Sequence, residues 1–431
     1  MPAGAARFAD LPPGFVIAHR GGALQAPENT LEANRLALAQ GVPVVEQDVQ
    51  VLADGALGVM HDGTVDRTTT SSGNVAEHTA ASWGRLRVDA GSWLGGGWGD
   101  LRAPLFPQVL EVLDERALLC PEAKSPGTMA PMLDALERAG RSPETVLVQS
   151  FSRRECREAA VRGWQALWLG STDPAGAAAD GIAWVGVAAS AVTPALCRAA
   201  REAGVRVACY TVDRRAAWHR LRSWGVDACF SDDPAHLHGP ALRRSRDAFA
   251  EQRWAPGMQA DGDGRGRRGR FFPDGSFGFD EDSAPASSVL LGGLGPPDPG
   301  DVALDVSVRV DGDGAALLLL STTDDPPELA DGHLLLVHRS GRLVVQQVRG
   351  GVATTLAEGA VAAPKDGAYL PLAVEASAAG VSVGGAGAAG RVVAAGAEAA
   401  DGTDGADGAG LRYLHVGQRG ASVRFKDVVF R

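Results

Sequence analysis

Short apolar runs rich in Val, Ile and Leu alternate with longer Ala-, Leu- and Arg-rich segments from Phe15 to about Pro240. This pattern predicts repeated β-α units, because a buried parallel strand is a short apolar run and its crossover is usually a helix. Eight such strands, most followed by a helix-like stretch, favour a closed barrel over an open sheet. The predicted strands are Phe15–His19, Val44–Val49, Ala117–Ala123, Val146–Ser150, Ala166–Leu169, Ile182–Val187, Val205–Tyr210 and Ala228–Ser231.

A further apolar segment, Leu57–Met60, follows the second predicted strand across a tight Ala53-Asp54-Gly55 turn. Asp and Gly between two apolar runs are typical of a β-hairpin, so this segment should be a return arm outside the barrel count. Because a return arm runs back along the strand before it, we expect it to bring His61 to the level of Asp48.

The pattern changes after residue 240, where short alternating segments are separated by Gly, Asp and Pro. Such alternation predicts an all-β, jelly-roll-like sandwich. The length of 431 residues also favours two domains, because one barrel holds about 250 residues. We therefore predict an α/β TIM (β/α)8 barrel over residues 1–240, a linker over 241–269 and a β-sandwich accessory domain over 270–431. The predicted sandwich strands are Val302–Val310, Ala315–Leu320, Gly332–His338, Leu343–Val348, Leu370–Ala376 and Val423–Phe430.

Composition and charge narrow the range of functions. The hydrophobic share is 45%, and no apolar run approaches the roughly 20 residues of a membrane helix, so no transmembrane segment is predicted. The N-terminus lacks the apolar core of a secretory signal, which predicts a cytoplasmic chain, with export as the alternative. A net charge of -11 argues against a nucleic-acid partner, which needs a positive field. A phosphate-bearing substrate would then require local cations or a bound metal.

Three acidic residues stand near the ends of predicted strands. Glu46 and Asp48 are two apart on an extended segment, so both carboxylates point to one side. Glu122 has the same relation to Lys124 on another strand. Neighbouring like charges are costly without a cation between them, and three carboxylates without a thiolate favour Mg²⁺ or Ca²⁺. The alternative is that these are strand charges paired for solubility.

Two histidines and an arginine complete the candidate chemistry. His19 and Arg20 end the first predicted strand, and the carboxyl ends of barrel strands form the active face. His19 and His61 could act as general acid and base, while Arg20, Lys124 and a metal neutralise phosphoryl oxygens. The alternatives are a structural histidine and a simple salt bridge of Arg20. The sequence has no phosphate-binding G-x-x-x-x-G-K-[ST] loop.

Seven short motifs occur in a fixed order between residues 19 and 124, and together they resemble the glycerophosphodiester phosphodiesterase family. The resemblance covers about the first 240 residues. Later segments that agree are Gln149-Ser150-Phe151, Tyr210-Thr211-Val212-Asp213 and Ser231-Asp232-Asp233-Pro234. The seven motifs are His19-Arg20-Gly21, Pro27-Glu28-Asn29-Thr30, Glu46-Gln47-Asp48-Val49, Asp54-Gly55, His61-Asp62, Asp66-Arg67-Thr68-Thr69 and Glu122-Ala123-Lys124.

The resemblance implies hydrolysis of glycerophosphodiesters to glycerol 3-phosphate and an alcohol, either through a cyclic phosphate or by direct attack of water. It implies that His19 and His61 are the acid/base pair. It also implies that one divalent cation is held by three carboxylates and that two cationic side chains contact the phosphate. These residues are Glu46, Asp48 and Glu122 for the metal, and Arg20 and Lys124 for the phosphate.

Three further residues receive supporting roles. Glu28 and Asn29 follow the first predicted strand and are expected to brace the site through hydrogen bonds. Capping of the next helix is the alternative for Asn29 and Thr30. Tyr210 is expected to form an aromatic wall beside the substrate. Family members commonly carry Trp-Thr-Val-Asn where this chain has Tyr210-Thr211-Val212-Asp213, so the alcohol group of the substrate is left open.

The closing segment Ser422–Phe430 resembles the last strand of concanavalin-like or laminin-G-like sandwiches, which implies a glycan ligand for the second domain. Three functional hypotheses follow. The first is hydrolysis of small glycerophosphodiesters, and the second is the same site acting on phospholipid headgroups or teichoic-acid-like polymers. The third is a glycan-binding protein with an inactive barrel.

Overall fold

The computed structural model describes residues 7–94, 98–114, 117–238, 243–244, 249, 252, 254, 257–260, 269–280, 288–294, 302–377, 380–385, 391–395 and 413–430. The chain forms two compact units, one of Met1–Asp213 with Ala217–Pro240 and one of Arg214–Ala216 with Ala241–Arg431. Most of the predicted linker, 241–269, lies outside the described residues.

A closed sheet of eight parallel strands forms the centre of the first unit, which confirms the predicted barrel. The order along the sheet is β1-β9-β8-β7-β6-β5-β4-β2, and β1 also pairs with β2, so the sheet closes on itself. A short strand, β3, is attached antiparallel to β2. The strands are β1 (Phe15–Ala18), β2 (Val44–Val51), β3 (Leu57–Val59), β4 (Leu118–Ala123), β5 (Leu147–Ser150), β6 (Gln165–Leu169), β7 (Trp184–Ala188), β8 (Arg206–Tyr210) and β9 (Ala228–Ser231).

Helices connect the barrel strands. Thr30, Ser152 and Thr193 each begin a helix by accepting a hydrogen bond from a backbone N–H in the first turn, which satisfies a donor that the helix itself cannot pair. The helices are α1 (Leu31–Ala39), α2 (Ala80–Trp83), α3 (Gly91–Leu94), α4 (Phe106–Leu113), α5 (Met129–Arg138), α6 (Arg153–Val161), α7 (Pro174–Ala179), α8 (Pro194–Glu202), α9 (Arg215–Trp224) and α10 (Pro234–His238).

Alternation along the barrel strands separates two apolar clusters. On β1, Phe15 and Ile17 belong to one buried cluster, whereas Val16 and Ala18 belong to the other. Side chains of a strand point alternately to its two faces, so one cluster fills the barrel and the other packs under the helices. The polar residues of the candidate site lie on the same strand faces as the cluster that fills the barrel, nearer the carboxyl ends of the strands.

The predicted hairpin is present and returns the chain to the barrel mouth. Val49 of β2 pairs with Val59 of β3, and the N–H of Met60 donates to the carbonyl of Asp48 over 2.9 Å. Leu57 and Val59 of the arm belong to the large apolar cluster of the barrel, whereas Met60 belongs to a separate small apolar cluster. The next residue, His61, therefore lies at the level of Asp48, as expected. The small cluster contains Leu52, Met60, Val65, Val75, Trp83, Leu86 and Ala103.

Two largely antiparallel sheets form the second unit, which confirms the predicted sandwich. Their strand orders are β10-β14-β23-β16-β17-β18-β19, with β11 also on β14, and β12-β13-β24-β15-β20-β21-β22. The strands are β10 (Arg243–Arg244), β11 (Gln259–Ala260), β12 (Arg270–Phe271), β13 (Phe277–Phe279), β14 (Ser288–Leu294), β15 (Val302–Asp311), β16 (Ala315–Ser321), β17 (Gly332–His338), β18 (Arg342–Arg349), β19 (Val352–Ala360), β20 (Leu370–Ser377), β21 (Gly380–Gly385), β22 (Arg391–Ala395), β23 (Tyr413–Arg419) and β24 (Ser422–Phe430).

All six predicted sandwich strands are present, but several others were missed. β19 alternates poorly because most of its side chains are exposed, and β21 is rich in glycine.

Across the part of the chain that the structure describes, every helix is too short or too polar to cross a membrane.

Candidate active site

Three carboxylates from two neighbouring strands meet at the barrel mouth. β2 carries Glu46 and Asp48, and β4 carries Glu122, which pairs in register with Asp48. One carboxylate oxygen of each residue lies within 4.8 Å of the others. The side chains are buried, with Glu46 and Asp48 each 1% exposed. The structure thus brings together the three residues that strand spacing singled out.

Burial and crowding control the charges of these carboxylates. Burial, and then the neighbouring Asp48, raise the pKa of Glu46 to about 8. The same two causes raise the pKa of Glu122 to about 7. Burial would also raise the pKa of Asp48, but Arg20 and Lys124 outweigh it and keep that pKa below its ordinary value. Without a bound cation the cluster therefore holds protons at neutral pH, and Asp48 carries the negative charge.

The donor atoms of this cluster suit a hard divalent cation. All three groups offer oxygen, which Mg²⁺ and Ca²⁺ prefer over the nitrogen and sulfur that zinc favours. Oδ1 of Asp48 is buried and has no hydrogen-bond partner among the described residues, although Lys124 Nζ lies 3.6 Å from it. A cation between the carboxylates would satisfy this oxygen and remove the repulsion that raises the two pKa values.

His19 begins a turn instead of ending the first strand. β1 stops at Ala18, and His19–Gly21 forms a 3-10 turn in which Arg20 has a φ of 53°. Gly21 and Gly22 follow with positive φ, a conformation that glycine adopts without steric cost. The predicted strand was therefore one residue too long. The turn directs the N–H of Arg20 to Oε2 of Glu46 over 2.6 Å, next to the acidic cluster.

The two candidate histidines have carboxylate partners on the same ring nitrogen. His19 Nδ1 lies 2.7 Å from Asp232 Oδ1, and His61 Nδ1 lies 2.7 Å from Asp62 Oδ1. Burial would lower the pKa of His19, but Asp232 outweighs it and raises the pKa to about 9. Burial lowers the pKa of His61, and Asp48 offsets this only in part. The two imidazoles therefore differ in protonation near neutral pH.

Two cations lie against the acidic cluster. Arg20 Nε is 3.6 Å from Asp48 Oδ2, and Lys124 Nζ is 3.1 Å from Glu122 Oε1. Burial would lower the pKa of Lys124, but Asp48 and Glu122 raise it above its ordinary value. Both side chains therefore stay charged while they are mostly shielded from solvent, with exposures of 16% and 15%.

Asn29 and Glu28 contact the ionic groups directly. The side-chain amide of Asn29 donates to Asp48 Oδ2 over 2.8 Å, and the backbone N–H of Asp48 donates to Asn29 Oδ1 over 3.1 Å. Thr30 is the residue that caps α1, accepting from the N–H of Ala33 over 3.2 Å. Glu28 accepts from Arg20 Nη1 over 3.0 Å. Thr30 therefore caps the helix, whereas Asn29 and Glu28 form hydrogen bonds with residues of the site.

Tyr210 lies in a chain of aromatic side chains at the carboxyl ends of the strands. Its ring makes edge-to-face contacts with Phe151 at 6.3 Å and Phe230 at 6.4 Å between centroids. Phe230 in turn contacts His19 at 6.3 Å. Phe151 is 56% exposed. An aromatic surface therefore extends from the candidate acid/base residue toward solvent.

Asp213, the acid that replaces the usual family Asn, lies behind the site. Its Oδ1 accepts from Ser231 Oγ over 3.0 Å and from the backbone N–H of Asp232 over 2.7 Å. Burial, then Asp232 and Asp233, raise its pKa to about 7. The substituted residue thus anchors the loop that carries the partner of His19.

Sequence reasoning assigned no role to several polar residues that the structure places in contact with the site residues, including Gln149, whose side-chain amide donates to Glu46 Oε1 over 3.4 Å. Asp62 and Asp232 hold the histidines, and Arg67 joins Glu28 and Asp62. Each belongs to a motif of the family resemblance. A usable signal existed for Asp232, because it directly follows the last barrel strand, which must neighbour the first one in a closed sheet.

Comparisons with known proteins cover the barrel. Residues 19–236 match the glycerophosphoryl diester phosphodiesterase family. A glycerophosphodiester phosphodiesterase of Bacillus subtilis is 32% identical over 254 residues, 52% of this chain and 85% of that protein. One of Caldanaerobacter subterraneus subsp. tengcongensis is 31% identical over 236 residues, 52% of this chain and 96% of that protein.

A solved structure gives the same result. An Oleispira antarctica phosphodiesterase, determined in complex with the product sn-glycerol-3-phosphate, has a TM-score of 0.50 and 27% identity, covering 53% of this chain and 96% of that one. The fold and site define a barrel hydrolase of phosphoric diesters, and the chain belongs to the glycerophosphoryl diester phosphodiesterase family. It is an enzyme that hydrolyses glycerophosphodiesters. These relatives give no support for a glycan ligand, and the resemblance of the second domain to concanavalin-like sandwiches stays a prediction.

Proposed function

We propose that hydrolysis releases glycerol 3-phosphate and an alcohol, with His19 and His61 as the acid/base pair and a divalent cation held by Glu46, Asp48 and Glu122. The observation that carries the proposal is a cluster of three buried carboxylates, of which Glu46 interacts electrostatically with His19 and Asp48 with His61. Each imidazole is fixed through Nδ1 by its own carboxylate. Since Nδ1 is engaged in both rings, Nε2 is the nitrogen left for proton transfer.

The two histidines divide the proton transfers. His61, whose pKa is lowered by burial, is the neutral imidazole that accepts the proton of the attacking hydroxyl. His19, whose pKa Asp232 raises against the effect of burial, is the imidazolium that donates to the leaving alcohol. Asp62 holds the neutral ring of His61 in the tautomer with the proton on Nδ1, and Asp232 orients the His19 imidazolium.

Charge stabilisation comes from both sides of the phosphoryl group. When bound, a divalent ion such as Mg²⁺ or Ca²⁺ would polarise a phosphoryl oxygen as a Lewis acid. Arg20 and Lys124 bind the remaining phosphoryl oxygens and orient the diester. Asn29 holds Asp48 in place through their paired hydrogen bonds, so that the carboxylates need not rearrange. Tyr210 lines the substrate pocket on the aromatic side.

A substrate and metal panel tests the proposal. The full chain is incubated with glycerophosphocholine and related diesters, with Mg²⁺, Ca²⁺ or EDTA, and released glycerol 3-phosphate is measured. We expect ion-dependent release that falls about 100-fold or more in His19→Ala and His61→Ala. His219→Ala, an exposed histidine on α9, is the matched control and should behave like the unchanged enzyme. Full activity of both site variants would refute the assigned roles.

A further inference from the structure

A row of exposed or partly exposed cations lies on one face of the seven-stranded sheet in the second unit. Strand β24 alternates buried residues with Arg424 and Lys426, which are partly exposed. Arg424 stands directly opposite Arg309 of β15 and, on its other side, opposite Gly278 of β13. Arg270 of β12 is opposite Gly278. Three guanidinium groups therefore share one row across four strands.

Aromatic rings hold these cations in position. The guanidinium carbons of Arg424 and Arg270 lie 3.9 Å and 4.3 Å from the ring centroid of Phe272. Lys426 Nζ lies 4.2 Å from the ring centroid of Tyr369. Stacking on a ring orders a flexible cationic side chain while the N–H donors at its edge remain available for an anion.

The charges in the row are only partly compensated. Arg309 pairs with Asp311 at 2.8 Å and Arg270 with Asp280 at 3.0 Å. Among the described residues, Arg424 and Lys426 have no carboxylate within ion-pair distance.

Asp274 is an acid close enough to interact with Arg424 at longer range. Its own hydrogen bonds come from Ser276 Oγ and from the hydroxyl of Tyr369. Like charges opposite each other destabilise a sheet, so an external anion beside Arg424 and Lys426 would stabilise the pair that Arg424 forms with Arg309.

We propose that Arg270, Arg309, Arg424 and Lys426, the cationic row, bind a flexible polymer of polyol phosphodiesters. Neighbouring strands are about 4.8 Å apart, and alternate residues of one strand are about 7 Å apart. A polymer can therefore place several phosphates against different cations at once, whereas a molecule with a single phosphate cannot contact all of them. Among the described residues, no large exposed apolar side chain lies on β15 or β24, which disfavours a lipid surface.

The choice of a polyol phosphate rests on the proposed function, because the barrel acts on the same glycerol phosphodiester group. The row would raise the local concentration of a polymeric substrate for the enzyme without taking part in the chemistry.

Binding of the metal-free full chain to poly(glycerol phosphate) tests the proposal by titration calorimetry. We expect affinity to rise with chain length and to fall steeply from about 50 to about 200 mM salt. Arg424→Gln/Lys426→Gln should weaken binding about tenfold. The matched control, Arg339→Gln/Arg342→Gln, removes two exposed cations from the other sheet and should bind normally. Ser307→Glu adds an acid opposite Lys426 and should also weaken binding, without removing a stacked arginine.

Two results would overturn the proposal. One is that the cationic-row and control variants bind the polymer equally well. The other is that the chain binds an oligodeoxynucleotide or anionic vesicles, at matched phosphate concentration, as tightly as it binds the polymer. Turnover of glycerophosphocholine separates it from the proposed function. Cationic-row variants should keep that turnover, so loss of polymer binding would leave hydrolysis of the small substrate unchanged. Absence of hydrolysis in all variants would instead contradict the barrel mechanism while leaving the binding result in place.

Discussion

Arg67 and Glu28 form a two-point ion pair, with Nη1 2.7 Å from Oε2 and Nη2 2.8 Å from Oε1. The same guanidinium reaches Asp62 Oδ2 through Nε over 2.6 Å. Glu28 also contacts Arg20, and Asp62 also contacts His61. Arg67 thus connects the residue proposed to bind phosphate with the residue proposed to act as base.

Replacing Arg67 tests this connection. A lysine cannot make the planar two-point contact, so Arg67→Lys should lower kcat about 10-fold, and Arg67→Ala about 100-fold, with smaller changes in KM. Steady-state kinetics measure both parameters. Arg87→Lys, an exposed arginine that pairs with Asp100, is the control. Unchanged kcat in Arg67→Ala would show that the pair has only a structural role.

Asp232→Asn should shift the pH profile in a defined direction. His19 must be protonated to donate, so activity falls as pH rises through its pKa, which is about 9 with Asp232 in place. Removing the carboxylate charge lowers that pKa, and the alkaline limb should move to lower pH. Profiles of kcat/KM from pH 5 to 10 would reveal the shift. Asp134→Asn on the exposed surface should leave the limb unmoved, and an unmoved limb in Asp232→Asn would contradict the role.

Metal binding should release protons. Glu46 and Glu122, with pKa values of about 8 and about 7, are partly protonated at neutral pH and must ionise to hold a cation. Affinity for Mg²⁺ or Ca²⁺ should therefore rise from pH 6 to pH 9. Calorimetry in buffers of different ionisation enthalpy counts the protons. Glu46→Gln should abolish saturable binding, whereas Glu202→Gln should not. Binding that is independent of pH would argue against this electrostatic account.

The same carboxylates destabilise the metal-free fold at alkaline pH. The pKa of Glu46 is raised from 4.5 to about 8, so its stability contribution is full below about pH 4.5 and is lost as pH rises through 8. Glu46→Gln removes the charge that must otherwise be buried. The thermal midpoint of the metal-free variant should therefore exceed that of the unchanged chain at pH 9 and lie close to it at pH 5. The opposite order at pH 9 would show that Glu46 is not destabilising.

The barrel was predictable because its signals are local. Apolar runs mark the strands, and the two-residue period alone puts Glu46 and Asp48 on one face. The Asp54-Gly55 turn predicts a hairpin, and a hairpin returns the chain so that His61 lies at the level of Asp48.

The remaining contacts join distant segments, and closure of the barrel indicates only that the end of the last strand, where Asp232 lies, neighbours the end of the first. Asp232 is 213 residues from His19, and Arg67 is 39 residues from Glu28. Nothing in the local pattern says which of several acids a histidine or arginine will meet. The turn at His19 was missed for another reason, since Arg20 adopts a left-handed φ that its residue type does not announce.

The hairpin of β2 and β3 makes the position of His61 depend on a small apolar cluster as well as on the apolar cluster of the barrel. His61 is positioned by the packing of residues such as Leu52 and Trp83, while the acids rest on the central sheet. A slip of one residue between the two arms would turn every side chain on β3 to the opposite face. The central sheet would keep its own strand pairing, yet His61 would no longer be held at the level of Asp48.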